Sequence, residues 1–185
     1  MLYIYLINGT DSKMIKYEIY CDITVVIPTY NSEKFVNETI MSVVNQSLKP
    51  KEIIIIDDHS TDNTLDVIED IFRKQGIINY RIFKQKKLGP GAARNKGIKE
   101  AKTKWISFLD SDDYWCQNKL EEVNGWITKN PESNFFCNNE IEIGLNKQEK
   151  LNDYVSDFDF QKSFTVQVFQ KNYFSTSAIT CSRKL

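Results

Sequence analysis

The chain has 185 residues, 41% of them hydrophobic, 12% aromatic and 26% charged, enough apolar material for one buried core and too little Pro and Gly for a collagen-like or disordered polymer. Its 24 Lys and Arg against 25 Asp and Glu leave a formal charge of −1, which gives no electrostatic reason to expect nucleic acid or an anionic membrane as the main partner. No apolar run approaches the roughly 20 residues that span a bilayer.

The first residues, MLYIYLI, lack the basic residues and small-residue cleavage site of a secretory signal, so the expected location is cytoplasmic, which leaves room for peripheral association with the inner face of a membrane. Residues 1–22 show no clear pattern and read as an N-terminal extension of uncertain structure; residues 23–185 read as one domain. From residue 23 onward short β-rich runs alternate with helix-period segments, the signature of βαβ units: an α/β fold with a mostly parallel central sheet flanked by helices.

Residues 23–28 (ITVVIP) are the first expected strand, followed by a helix over 33–46 with Asn31 or Ser32 as its cap. Residues 52–57 (EIIIID) do not alternate, as befits a central strand buried on both faces. The next helix is expected over 62–75, capped by Ser60 or Thr61, then a strand over 77–83. Gly89, Pro90 and Gly91 make a loop that opens a helix through Lys102, and a fourth strand covers 105–109. Beyond it, Leu120, Val123, Trp126 and Ile127 mark the apolar face of a helix that Asn130 and Pro131 stop. A strand over 134–143, a polar surface loop over 145–158 and a last strand over 177–182 complete the expectation.

In an open parallel sheet, ligands bind beyond the carboxyl ends of the strands, and there this sequence turns polar. The first strand runs into Thr29, Tyr30 and Asn31, the second into Asp57 and Asp58, the fourth into Asp110, Ser111, Asp112 and Asp113. Any one of these is explained by the preference of turns for Asp, Asn and Ser; three together point to a shared ligand. Three carboxylates within four residues repel one another unless a cation or donors compensate, and hard ions such as Mg²⁺ or Mn²⁺ take such oxygens while completing their shell with water and phosphate. The competing reading is a solvated acidic turn leading into the next helix.

Arg94, five residues after Gly89, is placed either to reach a phosphate and brace the acids or to sit on a helix surface. It stands where the third Gly of G-x-G-x-x-G belongs, which disfavours a dinucleotide site, and no P-loop is present. Cys21, Cys116, Cys137 and Cys181 are widely spaced and read as reduced, mostly packed thiols. The single histidine, His59, lies in a turn and reads as a loop residue. Trp105 and Trp126 fall on core-facing positions; Trp115, beside the acids, is the tryptophan that can meet a ligand.

Read together, ITVVIPTYNSEKFVNETIMSVVNQS, IIIIDDHSTDNT, GPGAARNKGI and ISFLDSDDYW resemble the family 2 glycosyltransferases, which have the GT-A nucleotide-sugar-binding fold. The resemblance is specific over about residues 23–120 and looser beyond. It implies a nucleotide-sugar donor, a UDP-sugar by the family's habit, with Pro28, Thr29, Tyr30, Asn31, Asp57, Asp58, Arg94, Asp110, Ser111 and Asp112 around it. Thr29, Asn31 and Asp58 would hold the nucleoside. Asp110 and Asp112 would form a DXD motif holding a divalent metal, Mn or Mg, with Asp112 its direct ligand. It further implies metal-assisted, inverting transfer to a glycan, lipid-linked or protein acceptor, as in polysaccharide assembly, and no nucleic-acid partner.

His59 stands where the family commonly has Gly. The family's usual catalytic base comes from an acidic segment beyond the strand that SAITCSRKL resembles, and this chain ends at Leu185, so the acceptor side is expected to be incomplete and the transferase C-terminally truncated. Asp153, Asp157 and Asp159 are the acidic substitutes within the chain. A second reading, a non-catalytic nucleotide-sugar-binding remnant or interaction module, shares the donor site. A nucleotidyltransferase would need a glycine-rich basic signature after the first strand, and PTYNSEKF has none.

Overall fold

A computed structural model describes residues 2–6, 13–17, 19–144, 146–154, 156, 161, 162, 167 and 174–185. Its chain order begins with an antiparallel pair, β1 (Leu2–Leu6) and β2 (Lys13–Tyr17). The long strand β3 (Tyr20–Thr29) leads to α1 (Val36–Val44), β4 (Lys49–Asp57), α2 (Thr64–Gln75) and β5 (Tyr80–Lys84). Then come α3 (Pro90–Glu100), β6 (Trp105–Phe108), α4 (Lys119–Lys129), β7 (Phe135–Cys137), β8 (Glu140–Ile143), β9 (Glu149–Asn152) and β10 (Ile179–Ser182).

The central sheet has the order β5-β4-β3-β6-β10-β7. β3 pairs in parallel with β4 and β6, and β4 with β5, whereas β10 runs antiparallel to both β6 and β7. The expected α/β fold with a mostly parallel central sheet is therefore the observed one. Strand periodicity sorts the core into two layers. Ile23, Val25 and Ile27 of β3, with Ile53 and Ile55 of β4, pack with Val36, Ile40, Ile68 and Phe72 of α1 and α2. Val26, Ile54, Ile56 and Ile106 pack on the other face with Ala93 and Ala101, at the α3 side. Each Val, Ile or Phe among them, fully buried, contributes about 1.5–3 kcal/mol, which is why β3 and β4 tolerate no alternation. α3 lies so close to the sheet that a Cβ on Gly97 would stand 2.3 Å from Val26 Cγ1.

Several element ends differ from expectation. α1 starts at Val36 because residues 32–35 form a turn in which Ser32 O accepts from Phe35 N and Val36 N, both at 2.9 Å, while the Ser32 hydroxyl meets Ser111 Oγ. α2 is opened by Asp62, whose carboxylate accepts from Thr64 N at 3.0 Å and Thr64 Oγ1 at 2.5 Å. The same carboxylate accepts from Glu33 N at 3.2 Å, and Glu33 Oε2 accepts from Asn63 N at 2.9 Å, so the two helix openings clasp each other.

The strand expected over 134–143 is split into β7, at the edge of the central sheet, and β8, and the polar loop expected over 145–158 contains β9, which pairs with β8 so that Ile141 faces Leu151 and Glu142 faces Lys150. An apolar pair and an opposite-charge pair facing each other across the strands support the hairpin in this polar segment. Trp126, expected in the core, is 55% exposed because α4 covers the sheet with Leu120 and Val123. Cys116 is exposed, whereas burial pushes the Cys21 thiol up to about 12. Among the described residues no helix is long and apolar enough to cross a membrane.

Candidate functional site

The carboxyl ends of β3 and β4 meet in a tight polar turn. Asp57 and Asp58 are both buried. Asp57 is consumed locally: its carboxylate accepts from Thr29 Oγ1 at 3.2 Å, Ser60 N at 3.1 Å and Ser60 Oγ at 2.5 Å. Asn31, at φ 47°, and His59, at φ 72°, adopt the left-handed backbone that the turn needs, a conformation Asn enters readily and His only when surrounding contacts enforce it. Here Asn31 N donates to Ser60 Oγ at 3.0 Å and Asn31 Oδ1 accepts from Thr61 N at 2.8 Å, bracketing His59.

Asp58 reaches the opposite wall. Its carboxylate accepts from Gln85 Nε2, Leu88 N and Gly89 N, each at 2.8 Å, and so fixes the loop between β5 and α3. Burial pushes the pKa of this group up, but the Leu88, Gln85 and Gly89 hydrogen bonds and the Lys87 charge outweigh it and hold the carboxyl below its ordinary value. Gly89, at φ 89°, turns the loop into α3, a backbone that favours Gly; Gly91 has normal φ and free space around it. From α3, Arg94 Nη2 pairs with Asp110 Oδ1 at 2.5 Å, both side chains less than a third exposed. Arg94 Nε is buried and has no hydrogen-bond partner among the described residues. Across the cleft, Lys87 Nζ donates to Tyr30 Oη at 2.8 Å and lies 4.2 Å from the Tyr30 ring centroid.

The acidic loop after β6 is held from two sides. Thr39 Oγ1 donates to Ser111 O at 2.9 Å, and Ser111 Oγ is 2.6 Å from Ser32 Oγ. On the other side Ser177 Oγ accepts from Asp110 N at 3.0 Å and donates to Asp113 Oδ2 at 2.6 Å. Partial burial pushes the Asp113 carboxyl up, the Ser177 hydrogen bond pulls it down, and the charges of Asp112, Asp110 and Glu140 push it up again, with a raised value as the outcome. Below this loop Lys119 is buried with its ammonium on Asn138 Oδ1 and Ala178 O. Burial brings its pKa down to about 8, against the opposing pull of Cys137 and Glu140.

These pieces enclose a cleft of about 370 Å³ lined by Pro28, Thr29, Tyr30, Asp58, Lys87, Gly89, Pro90, Arg94, Asp110, Ser111 and Asp112. Of the ten residues that the resemblance implies around a donor, eight line this cleft, whereas Asn31 and Asp57 shape the turn beneath, and Asp113, the third acid of the loop, does not line it. Trp115, expected beside a ligand, is packed away instead: it is 8% exposed and its indole N–H donates to Ser177 O at 3.0 Å. Asp153, the described member of the substitute acids, accepts from Ser156 Oγ at 2.5 Å next to the β8–β9 hairpin; Asp157 and Asp159 lie outside the described residues. Lys87, Ser177 and Lys119 were not singled out, because a lysine in a basic run, a serine near a distant strand and a lysine opening a helix all read as surface residues.

Among the described residues no group of three or more His, Cys, Asp or Glu is arranged to hold a metal by itself. Asp110 and Asp112 nevertheless fit the kind of divalent ion that needs one or two carboxylates and takes the rest of its shell from water and phosphate. Among the described residues the exposed Asp112 carboxylate is the member of the pair without an ion-pair partner, since Asp110 is engaged by Arg94.

The layered sheet with its polar cleft at the carboxyl strand ends is a GT-A-type nucleotide-sugar-binding fold. The Mannosyltransferase PcManGT from Pyrobaculum calidifontis, solved with GDP-Man and Mn²⁺, shares the fold with a TM-score of 0.59 at 21% identity, over 64% of this chain and 36% of that one. S. aureus TarS 1–349 in complex with UDP has a TM-score of 0.55 at 34% identity, over 61% of this chain and 33% of that one. An uncharacterized glycosyltransferase of Haemophilus influenzae is 39% identical over 108 residues, 58% of this chain and 43% of that protein. Residues 24–183 match the model of glycosyl transferase family 2, and the chain belongs to that family. It spans less than half the length of these relatives.

Proposed function

We propose that the cleft binds a nucleotide-sugar, of the UDP type, and that the chain is the donor-binding part of an inverting glycosyltransferase acting on a glycan, lipid-linked or protein acceptor. The observation that carries this is the convergence of Thr29, Tyr30, Asp58, Arg94, Asp110 and Asp112 on one cleft from three strand ends and a helix. The UDP in the TarS complex supports the nucleotide class.

Asp58 has three donors on a carboxylate with about four acceptor sites, which leaves one for a base N–H or ribose hydroxyl. Pro28 and Thr29 set the floor on which a nucleoside rests, Asn31 shapes the turn beneath them, and Tyr30 offers a half-exposed ring face. At the other end Arg94 lines the cleft and supplies positive charge fixed by its pairing with Asp110. Asp110 and Asp112, with Ser111 fixing the loop, would hold a divalent cation, which would supply positive charge against that building on the departing diphosphate. In such a transfer the acceptor hydroxyl oxygen bonds to the anomeric carbon from the side opposite the diphosphate, the bond from that carbon to the diphosphate oxygen breaks, and the hydroxyl proton passes to a carboxylate base.

A thermal-shift panel of UDP and UDP-sugars with and without Mn²⁺ tests the reading. Ligand at about 100 times its dissociation constant stabilises by roughly 2.7 kcal/mol. Replacing Asp112 by Asn is expected to remove the metal-dependent part of the shift and leave the fold intact. A folded chain that no UDP compound stabilises with Mn²⁺ present refutes the reading.

A further inference from the structure

Because β10 is antiparallel to β6, its first residues lie beside the end of β6 from which the acidic loop leaves. The short turn Thr176–Ala178 sits there and delivers Ser177, 4% exposed, to the base of that loop. The serine is fixed through its backbone: its N–H donates to Ser175 Oγ at 3.2 Å, its carbonyl accepts the Trp115 indole N–H at 3.0 Å, and the next carbonyl accepts from Lys119 at 3.3 Å. Its hydroxyl is therefore aimed, and it is fully used, receiving Asp110 N–H and donating to Asp113 Oδ2. Of the three carboxylates in the loop, Asp110 and Asp112 line the cleft, and the one on Ser177 does not.

We propose that Ser177 is a positioning residue that fastens Asp113 outside the cleft, so that Asp110 and Asp112 alone face the diphosphate end of the donor. This rests on the donor reading given above. Two carboxylates make a poor cation site alone and a good one when a phosphate joins them, so the cation is taken up together with the nucleotide. A third carboxylate in the cleft would let the cation bind first and uncouple the two.

The test is calorimetric titration of the full chain with Mn²⁺ alone and with Mn²⁺ in the presence of UDP. In the unsubstituted chain UDP is expected to tighten Mn²⁺ binding. In Ser177→Ala, Mn²⁺ alone is expected to bind about tenfold more tightly, the size of one added charge-assisted contact, and the UDP effect to shrink by the same factor. Adding Asp113→Asn to that variant restores the unsubstituted behaviour, which a general loosening of the loop would not allow. Asp113→Asn on its own keeps the serine hydrogen bond and is expected to leave Mn²⁺ affinity within about twofold, a few tenths of a kcal/mol; it decides the matter even if Ser177→Ala does not fold. Unchanged Mn²⁺ binding in Ser177→Ala, persistence of its effect in the double variant, or a tenfold loss in Asp113→Asn overturns the role of Ser177 while leaving the donor reading in place. No influence of UDP on Mn²⁺ in the unsubstituted chain overturns both.

Discussion

The parallel part of the sheet and the β8–β9 hairpin treat their apolar residues in opposite ways. In β3 and β4 the central residues are buried on both faces, with Ile27, Ile54, Ile55 and Ile56 wholly out of water. In the hairpin Ile141 is 55% exposed and Leu151 62% exposed. The first region is packed between helices on both faces, and that packing fixes where each strand ends and hence where Thr29, Asp58 and Asp110 stand. The hairpin has no second layer against it among the described residues, and the contribution of the antiparallel side to the cleft passes through one short strand, β10, and the serine before it.

Phe72→Ala should open the largest gap between the two regions. Phe72 is wholly buried and stacks on Tyr80 with 4.2 Å between ring centroids, and its truncation is expected to lower unfolding free energy by about 3–5 kcal/mol in denaturant titration. Asp58→Ala comes next, at about 2–3 kcal/mol, because it strands the Leu88 and Gly89 amides and the Gln85 side chain without an acceptor. This carboxylate is held below its ordinary 3.8 in the folded chain. Its contribution is present above that value and lost as pH falls through the lower, folded one. The unsubstituted chain should therefore lose stability faster than the variant over that acid range.

Lys119→Met separates burial from charge on the antiparallel side. Burial lowers the folded pKa to about 8 from 10.5, so in between the unfolded chain binds the proton that the folded one lacks, and stability from this group rises with pH across that window. The variant lacks that rise, and the difference between the two chains should change by on the order of 2–3 kcal/mol over the interval. The difference is the quantity to measure, because Cys137 and Tyr154, both pushed up to about 12 by burial first of all, lose stability with pH above their ordinary 9.0 and 10.0 in both chains. The smallest effect is expected for Leu151→Ser in the hairpin, within about 0.5 kcal/mol; a loss as large as that of Phe72→Ala would show that the hairpin is packed against something and would dissolve the contrast.

The parallel half was legible in the sequence because its physics is local. EIIIID can only be a doubly buried strand, and a polar residue directly after such a strand stands at the ligand end of a parallel sheet. The strand ends then named most of the cleft before any contact was known. Helix openings were misread by a few residues because the capping groups work across chain segments: Asp62 serves Glu33 as well as its own helix, and the Ser32 hydroxyl turns to Ser111. The same holds for Ser177, whose role depends on a strand reversal some sixty residues from the acids it holds, a pairing no local pattern encodes. Trp126 was misjudged because periodicity gives the spacing of an apolar face and not which of its members reaches the sheet.

The lysine–tyrosine contact at the mouth of the cleft carries a last consequence. With the Lys87 ammonium 4.2 Å from the Tyr30 ring centroid, the aromatic face is already claimed, and any flat heterocycle that settles on it must first evict a cation. Occupancy of that face then becomes a contest between a tethered side chain and a freely diffusing guest. Neutralising the amine, by acetylation for instance, tilts the contest toward the guest without altering the shape of the floor beneath it.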